Sequence, residues 1–128
     1  MSDDLFEKGM ATRKAVLGEA YVARAEANKT DFDADWQRYV TEHAWAAVWT
    51  RPGLEKRTRS MLTIAMLASL GRLDELGAHI RATRNTGVTQ EEVKEVLLQV
   101  AVYAGAPAAN SAFAIAKRVY KEMEMEAK

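Results

Sequence analysis

The chain has 128 residues, and its 18 lysines and arginines balance its 18 aspartates and glutamates. That length suits one compact domain with a single core, and the balance lacks the basic excess of a nucleic-acid binder. The absence of cysteine excludes disulfides, thiolate metal sites and thiol chemistry.

The opening residues, MSDDLFEKGM, lack the apolar core of a signal peptide. No run approaches the ~20 apolar residues of a membrane span. The expectation is a cytoplasmic protein engaging neither membrane nor nucleic acid, with residues 1–128 forming a single domain. Helical periodicity predicts a first helix over about 3–26, capped by Asp3 or Asp4. A second begins near Asp33 and runs to about Thr50, stopped by the RPG turn at 51–53. A third spans about 55–70 and ends at Gly71; a fourth spans about 72–86 and ends at Gly87. Thr89-Gln90-Glu91-Glu92 fits a capping box, opening a fifth helix that lasts to about Ala104. After Gly105, Pro107 suits the first turn of a sixth helix, to about residue 124. No alternating strand pattern competes, so the predicted class is all-α, with about six helices.

Two segments, MLTIAMLASL (61–70) and VLLQVAVYA (96–104), are apolar nearly all round. Either they form a central hairpin wrapped by the other helices, or a homo-oligomer covers their second face.

On a wheel at about 100° per residue, Leu73, Leu76 and Ile80 make a core stripe on the fourth helix. Arg72, Glu75, His79 and Thr83 fall together on its shoulder. Glu75 and His79, one turn apart, form a solvated ion pair, a piece of core, or an acid–base site at a pocket rim. On the second helix His43 shares a face with Trp36, Tyr39, Val40 and Ala47, which predicts a core or pocket histidine. The other face carries Arg38, Glu42, Trp45 and Trp49; two tryptophans there should line a subunit contact or the mouth of a pocket. Arg57 and Arg59 begin the third helix, either as a carboxylate receptor or as a solvated helix end, with Arg59 the stronger candidate beside the buried run. Neither histidine has an H-x-x-x-H or H-E-x-x-H partner, so no metal site is expected.

Residues 49–113, with the blocks RPGL, TRS, DEL…H.R…N.GVT.EE…VLLQ…Y.G.PAANSAF, together with DADWQRYVTEHAWAAVW upstream, strongly resemble the carboxymuconolactone decarboxylase family. The resemblance covers nearly the whole chain, the motif-rich part being 33–124. The related alkylhydroperoxidase-type reductases carry C-x-x-C followed four residues later by histidine. Here those cysteine positions hold Arg72 and Glu75, which sets the chain apart from that thiol branch. Ala104 stands in YAGAP where many relatives have a cysteine.

The resemblance implies an alkylhydroperoxidase-like orthogonal helical bundle assembled as a homo-oligomer, of the hexameric kind the family forms. It also implies cofactor-independent decarboxylation of a small dicarboxylate lactone, 4-carboxymuconolactone, to 3-oxoadipate enol-lactone and carbon dioxide in protocatechuate breakdown. The alternatives are a decarboxylase acting on another lactone and a non-catalytic oligomeric helical protein. For the decarboxylation, His79 is expected to donate the proton with Glu75 orienting and charging it. Arg59, with Arg72 second, is expected to bind a carboxylate or oxyanion, and Glu42, Trp45 and Trp49 to complete the substrate-binding set.

Overall fold

The computed structural model of the protein describes residues 2–127, and among them there is helix but no strand. The chain divides after Lys56 into two compact units.

In the first unit the single long helix expected over 3–26 is two helices, α1 (Ser2–Leu17) and α2 (Glu19–Ala27). Gly18, at φ 96°, makes the break: a glycine enters that region without the penalty a β-carbon brings. Because α1 is already under way at Ser2, Asp3 and Asp4 lie inside its first turn; the cap position falls on residue 1, outside the described residues. Arg13 is buried and ties the unit together, donating to Glu26 at 3.1 Å and to Gln37 at 3.4 Å.

The helix expected over 33–50 begins as α3 (Ala34–Val40) and continues as a π-helical segment, Thr41–Ala46. Its N–H groups reach five residues back, Ala47 to Glu42 and Trp49 to Ala44, both at 3.0 Å. α1 packs on the segment through Gly9, whose missing side chain admits the Thr41 carbonyl, so the Thr41 side is the one turned inward. The buried set is therefore Thr41, Trp45, Ala46 and Trp49. The face expected to be core is exposed instead: Trp36 at 58 % and Tyr39 at 55 %. His43 goes with it, exposed, stacked on Tyr39 at 4.3 Å between centroids and 3.1 Å from its carbonyl oxygen. It is neither a core nor a pocket histidine within this unit.

The second unit contains α4 (Lys56–Leu70), α5 (Leu73–Arg81), the short α6 (Thr83–Thr86), α7 (Gln90–Ala104) and α8 (Ala106–Glu126). Here the sequence pattern and the structure agree closely, except that the helix expected over 72–86 is interrupted at Ala82 and becomes α5 and α6. Leu76 and Ile80 are fully buried in a core shared with Ile64, Ala68, Val93, Leu97, Ala112 and Ala116. Gly77 faces α8, where an added β-carbon would make ordinary van der Waals contact, 3.6 Å from Ile115 and Val119. The capping box at Thr89 is complete, its hydroxyl accepting from Glu92 N at 3.1 Å while the Glu92 carboxylate accepts from Thr89 N at 3.0 Å. The same carboxylate pairs with Arg57, joining the starts of α4 and α7. Arg81 bridges to Glu122 and Glu126, each at 2.7 Å, fixing the end of α5 against α8.

The two very apolar segments bury only one face each. Ile64 and Ala68 of α4 and Leu97 and Val100 of α7 are buried, while Leu62, Met66, Leu70, Leu98, Val102 and Tyr103 stay exposed. Among the described residues, no helix is long and apolar enough to cross a membrane.

Candidate active site

The site candidates of the second unit are set by α4 and α5. The α5 pattern L-D-E-L-G-A-H-I turns Leu76 and Ile80 inward and leaves His79 at the boundary. His79 is partly buried, and its Nδ1 is shielded from solvent. Burial holds its pKa well below the usual imidazole value, at about 4, while the charge of Glu75 acts in the opposite direction and is outweighed. The spacing thus brings Glu75 and His79 into electrostatic contact as expected. The expected charging does not follow: near neutral pH the free imidazole is neutral, because desolvation disfavours the cation more than an exposed carboxylate supports it.

This shift makes stability depend on pH, with a definite sign. The folded pKa of about 4 lies below the ordinary 6.5, so the unfolded chain binds the proton more readily. The contribution is fully present above pH 6.5 and is lost as pH falls towards 4. At ~1.4 kcal/mol per pH unit the loss amounts to about 3 kcal/mol. Urea unfolding between pH 7 and 4 should show this loss in the parent protein and a shallower one in His79→Gln; parallel profiles would refute the assignment.

Of the other members of the expected set, Arg72 occupies the position before α5 and is exposed, as is Glu75. Thr83, on the same shoulder, turns inward and donates to the Ile80 carbonyl at 2.5 Å. The two arginines at the start of α4 differ in a way their spacing does not reveal. Arg57 is engaged by Glu92, whereas Arg59 is partly buried with its Nε shielded from solvent. Beside Arg59 lies a feature that periodicity did not mark: Ser60 is fully buried and accepts a hydrogen bond from Thr86 at 3.0 Å. A hydroxyl immediately before the apolar run was the only available hint.

The remaining three candidates belong to the first unit. Glu42 is mostly buried, 3.4 Å from Arg38 Nε. Trp45 and Trp49, one turn on, are buried with ring centroids 5.1 Å apart. Among the described residues no group of three or more histidines and carboxylates is placed to hold a metal ion.

The model of the carboxymuconolactone decarboxylase family matches residues 34–118. A 4-carboxymuconolactone decarboxylase from Acinetobacter baylyi is 47 % identical over 92 % of this chain and 88 % of its own length. A nitrosuccinic acid decarboxylase, npaB, from Metarhizium robertsii is 40 % identical over 93 % of this chain and 83 % of its own. An uncharacterised 15.0 kDa protein from Paracoccus denitrificans is 35 % identical over 68 % of this chain and 66 % of its own.

Proposed function

Because the chain belongs to the carboxymuconolactone decarboxylase family, we propose that it is a carboxy-lyase converting 4-carboxymuconolactone to 3-oxoadipate enol-lactone and carbon dioxide in protocatechuate breakdown. The observation that carries this reading is the 47 % identity to an enzyme of that name across 92 % of the chain. The family match also crosses the division after Lys56, which supports treating residues 1–128 as one family domain.

The substrate is an unsaturated five-membered lactone with two carboxylates. When the ring carboxylate leaves, the C–C bond pair passes through the ring to the lactone carbonyl, giving a dienolate. The substrate is thus its own electron sink, and the proposed reaction draws on no cofactor. The protein must hold the retained carboxylate, stabilise the developing oxyanion and protonate the ring carbon beside the carbonyl.

We assign the proton to His79. The imidazole is neutral in the free protein; a dianion arriving beside it raises its proton affinity, so proton and substrate enter together. Glu75, one turn away, orients the ring and adds to that affinity. Arg59 holds the retained carboxylate, with Arg72 as second choice. A tight grip on the departing carboxylate would stabilise the ground state and slow the reaction. Glu42, Trp45 and Trp49 remain substrate-binding candidates because they are a carboxylate and two indoles held in place by the first unit.

We also propose that the protein works as a homo-oligomer, a hexamer. Support comes from the exposed apolar side chains of α4 and α7, Leu62, Met66, Leu70, Leu98, Val102 and Tyr103, which association with further copies would cover.

A second reading is favoured by the nitrosuccinic acid relative. In nitrosuccinic acid the nitro group sits on a carbon that also bears a carboxylate and a CH2–carboxylate arm. The lactone's reacting carbon bears the same two groups, with the conjugated carbonyl in place of the nitro group as sink. The discriminating experiment offers each compound separately, following ultraviolet absorbance for the lactone and carbon dioxide release for nitrosuccinate. The lactone reading predicts rapid turnover of the lactone, unaffected by EDTA. Turnover of nitrosuccinate alone would establish the second reading in its place.

A further inference from the structure

Two hydroxyls meet where the core of the second unit has little use for them. Ser60 is fully buried, and Thr86 Oγ1 donates to its Oγ at 3.0 Å. One turn further along α4 is Ile64, part of the cluster that includes Leu76 and Ile80. A hydrogen bond of this kind contributes only ~1 kcal/mol net, and replacing both partners by apolar groups of similar shape is close to neutral. Stability alone therefore gives no reason for the pair.

Its location does. Thr86 follows His79 by seven residues, in the short helix α6 that Ala82 joins to α5. The Ala82 N–H donates to the Ala78 carbonyl at 2.9 Å and the Ala82 carbonyl accepts from Thr86 N at 3.2 Å, so Thr86 is anchored to the end of the helix that carries His79. Ser60 immediately follows Arg59, whose Nε is shielded from solvent. One hydrogen bond therefore ties the turn of α4 that carries Arg59 to a residue anchored on the end of α5, the helix that carries His79.

We propose that Ser60 and Thr86 are positioning residues: their hydrogen bond sets where the Arg59 guanidinium stands relative to His79, and so where the retained carboxylate is held. The kinetic part of this inference rests on the function proposed above. A misplaced guanidinium weakens binding of the carboxylate in ground and transition states alike, so the effect appears in KM more than in kcat.

The test is the double variant Ser60→Ala/Thr86→Val, with Thr86→Ser beside it. The double variant should keep a Tm within a few degrees of the parent, raise KM for the lactone about tenfold and change kcat less than threefold. Thr86→Ser should keep the parental KM. Independently of turnover, the Nε–Hε signal of Arg59 in 1H–15N NMR should shift or broaden in the double variant and not in Thr86→Ser. An unfolded double variant, a fall in kcat at constant KM, or an unmoved Arg59 signal would each overturn the proposal. Should the parent itself not turn over the lactone, the proposed function fails, and the NMR comparison still decides whether this pair positions Arg59.

Discussion

Replacing His79 by alanine should lower kcat by about 10²–10⁴-fold, the range a positioned general acid contributes, while changing KM little. The imidazole is the ionisable group whose ordinary pKa lies nearest neutrality on the α5 shoulder, and its Nδ1 is held out of solvent. Its pH signature is separable from that of a merely structural histidine. In the free protein it titrates at about 4, and kcat/KM reports the free enzyme. If the imidazolium is the donor, kcat/KM falls tenfold per unit as pH rises above that value. The kcat profile reports the complex, where the substrate's negative charge raises the pKa, so its fall begins at a higher pH. Glu75→Gln removes a charge that favours the cation and should draw the two profiles downward together in pH. A kcat/KM that stays flat from pH 5 to 8 would mean the neutral ring only donates a hydrogen bond to the oxyanion. An unchanged kcat in His79→Ala would remove the residue from the chemistry.

Much of the second unit was legible in the chain because its signals are local. The capping box at Thr89, the stripe of Leu76 and Ile80, and the helix ends at Gly71 and Gly87 each need only a few consecutive residues, and each stands where the pattern puts it. The Glu75–His79 pair was legible for the same reason. Its balance of forces was not, since a wheel gives the direction of a side chain and says nothing of how deeply it is desolvated. Spacing could not tell Arg57 from Arg59: Arg57 pairs with Glu92, far along the chain, and Arg59 has its Nε shielded from solvent. The Ser60–Thr86 bond is likewise a contact between distant residues. In the first unit the grouping of side chains was legible and the side each group faces was not. Trp36, Tyr39 and His43 do stack along one face, while Arg38 pairs with Glu42 and Trp45 meets Trp49 on the other. Which face turns inward depends on α1, which meets Thr41 through Gly9, a contact between distant residues.

The same segment makes Gly9→Ala the stability prediction with the largest effect. In an isolated helix this change is favourable by up to about 1 kcal/mol, since glycine loses more backbone freedom on ordering. Here a β-carbon at Gly9 would fall deep inside the Thr41 carbonyl oxygen, 3.0 Å from its carbon and 3.1 Å from the threonine methyl. Two of those atoms are backbone, so no rotamer change relieves the clash; α1 and the π-helical segment must move apart. Overpacking of this kind costs about 1–3 kcal/mol or more, enough to reverse the sign that helix propensity gives. The expected result is a Tm roughly 10 °C below the parent, with altered near-ultraviolet circular dichroism from the Trp45–Trp49 pair, which lies one and two turns beyond Thr41. An equal or higher Tm would show that the helices do not meet at this glycine. Kinetics at a temperature where the variant remains folded then bear on the site. If Glu42, Trp45 and Trp49 contact substrate, displacing the segment that holds them raises KM, whereas an unchanged KM and kcat would confine those three residues to the core of the first unit.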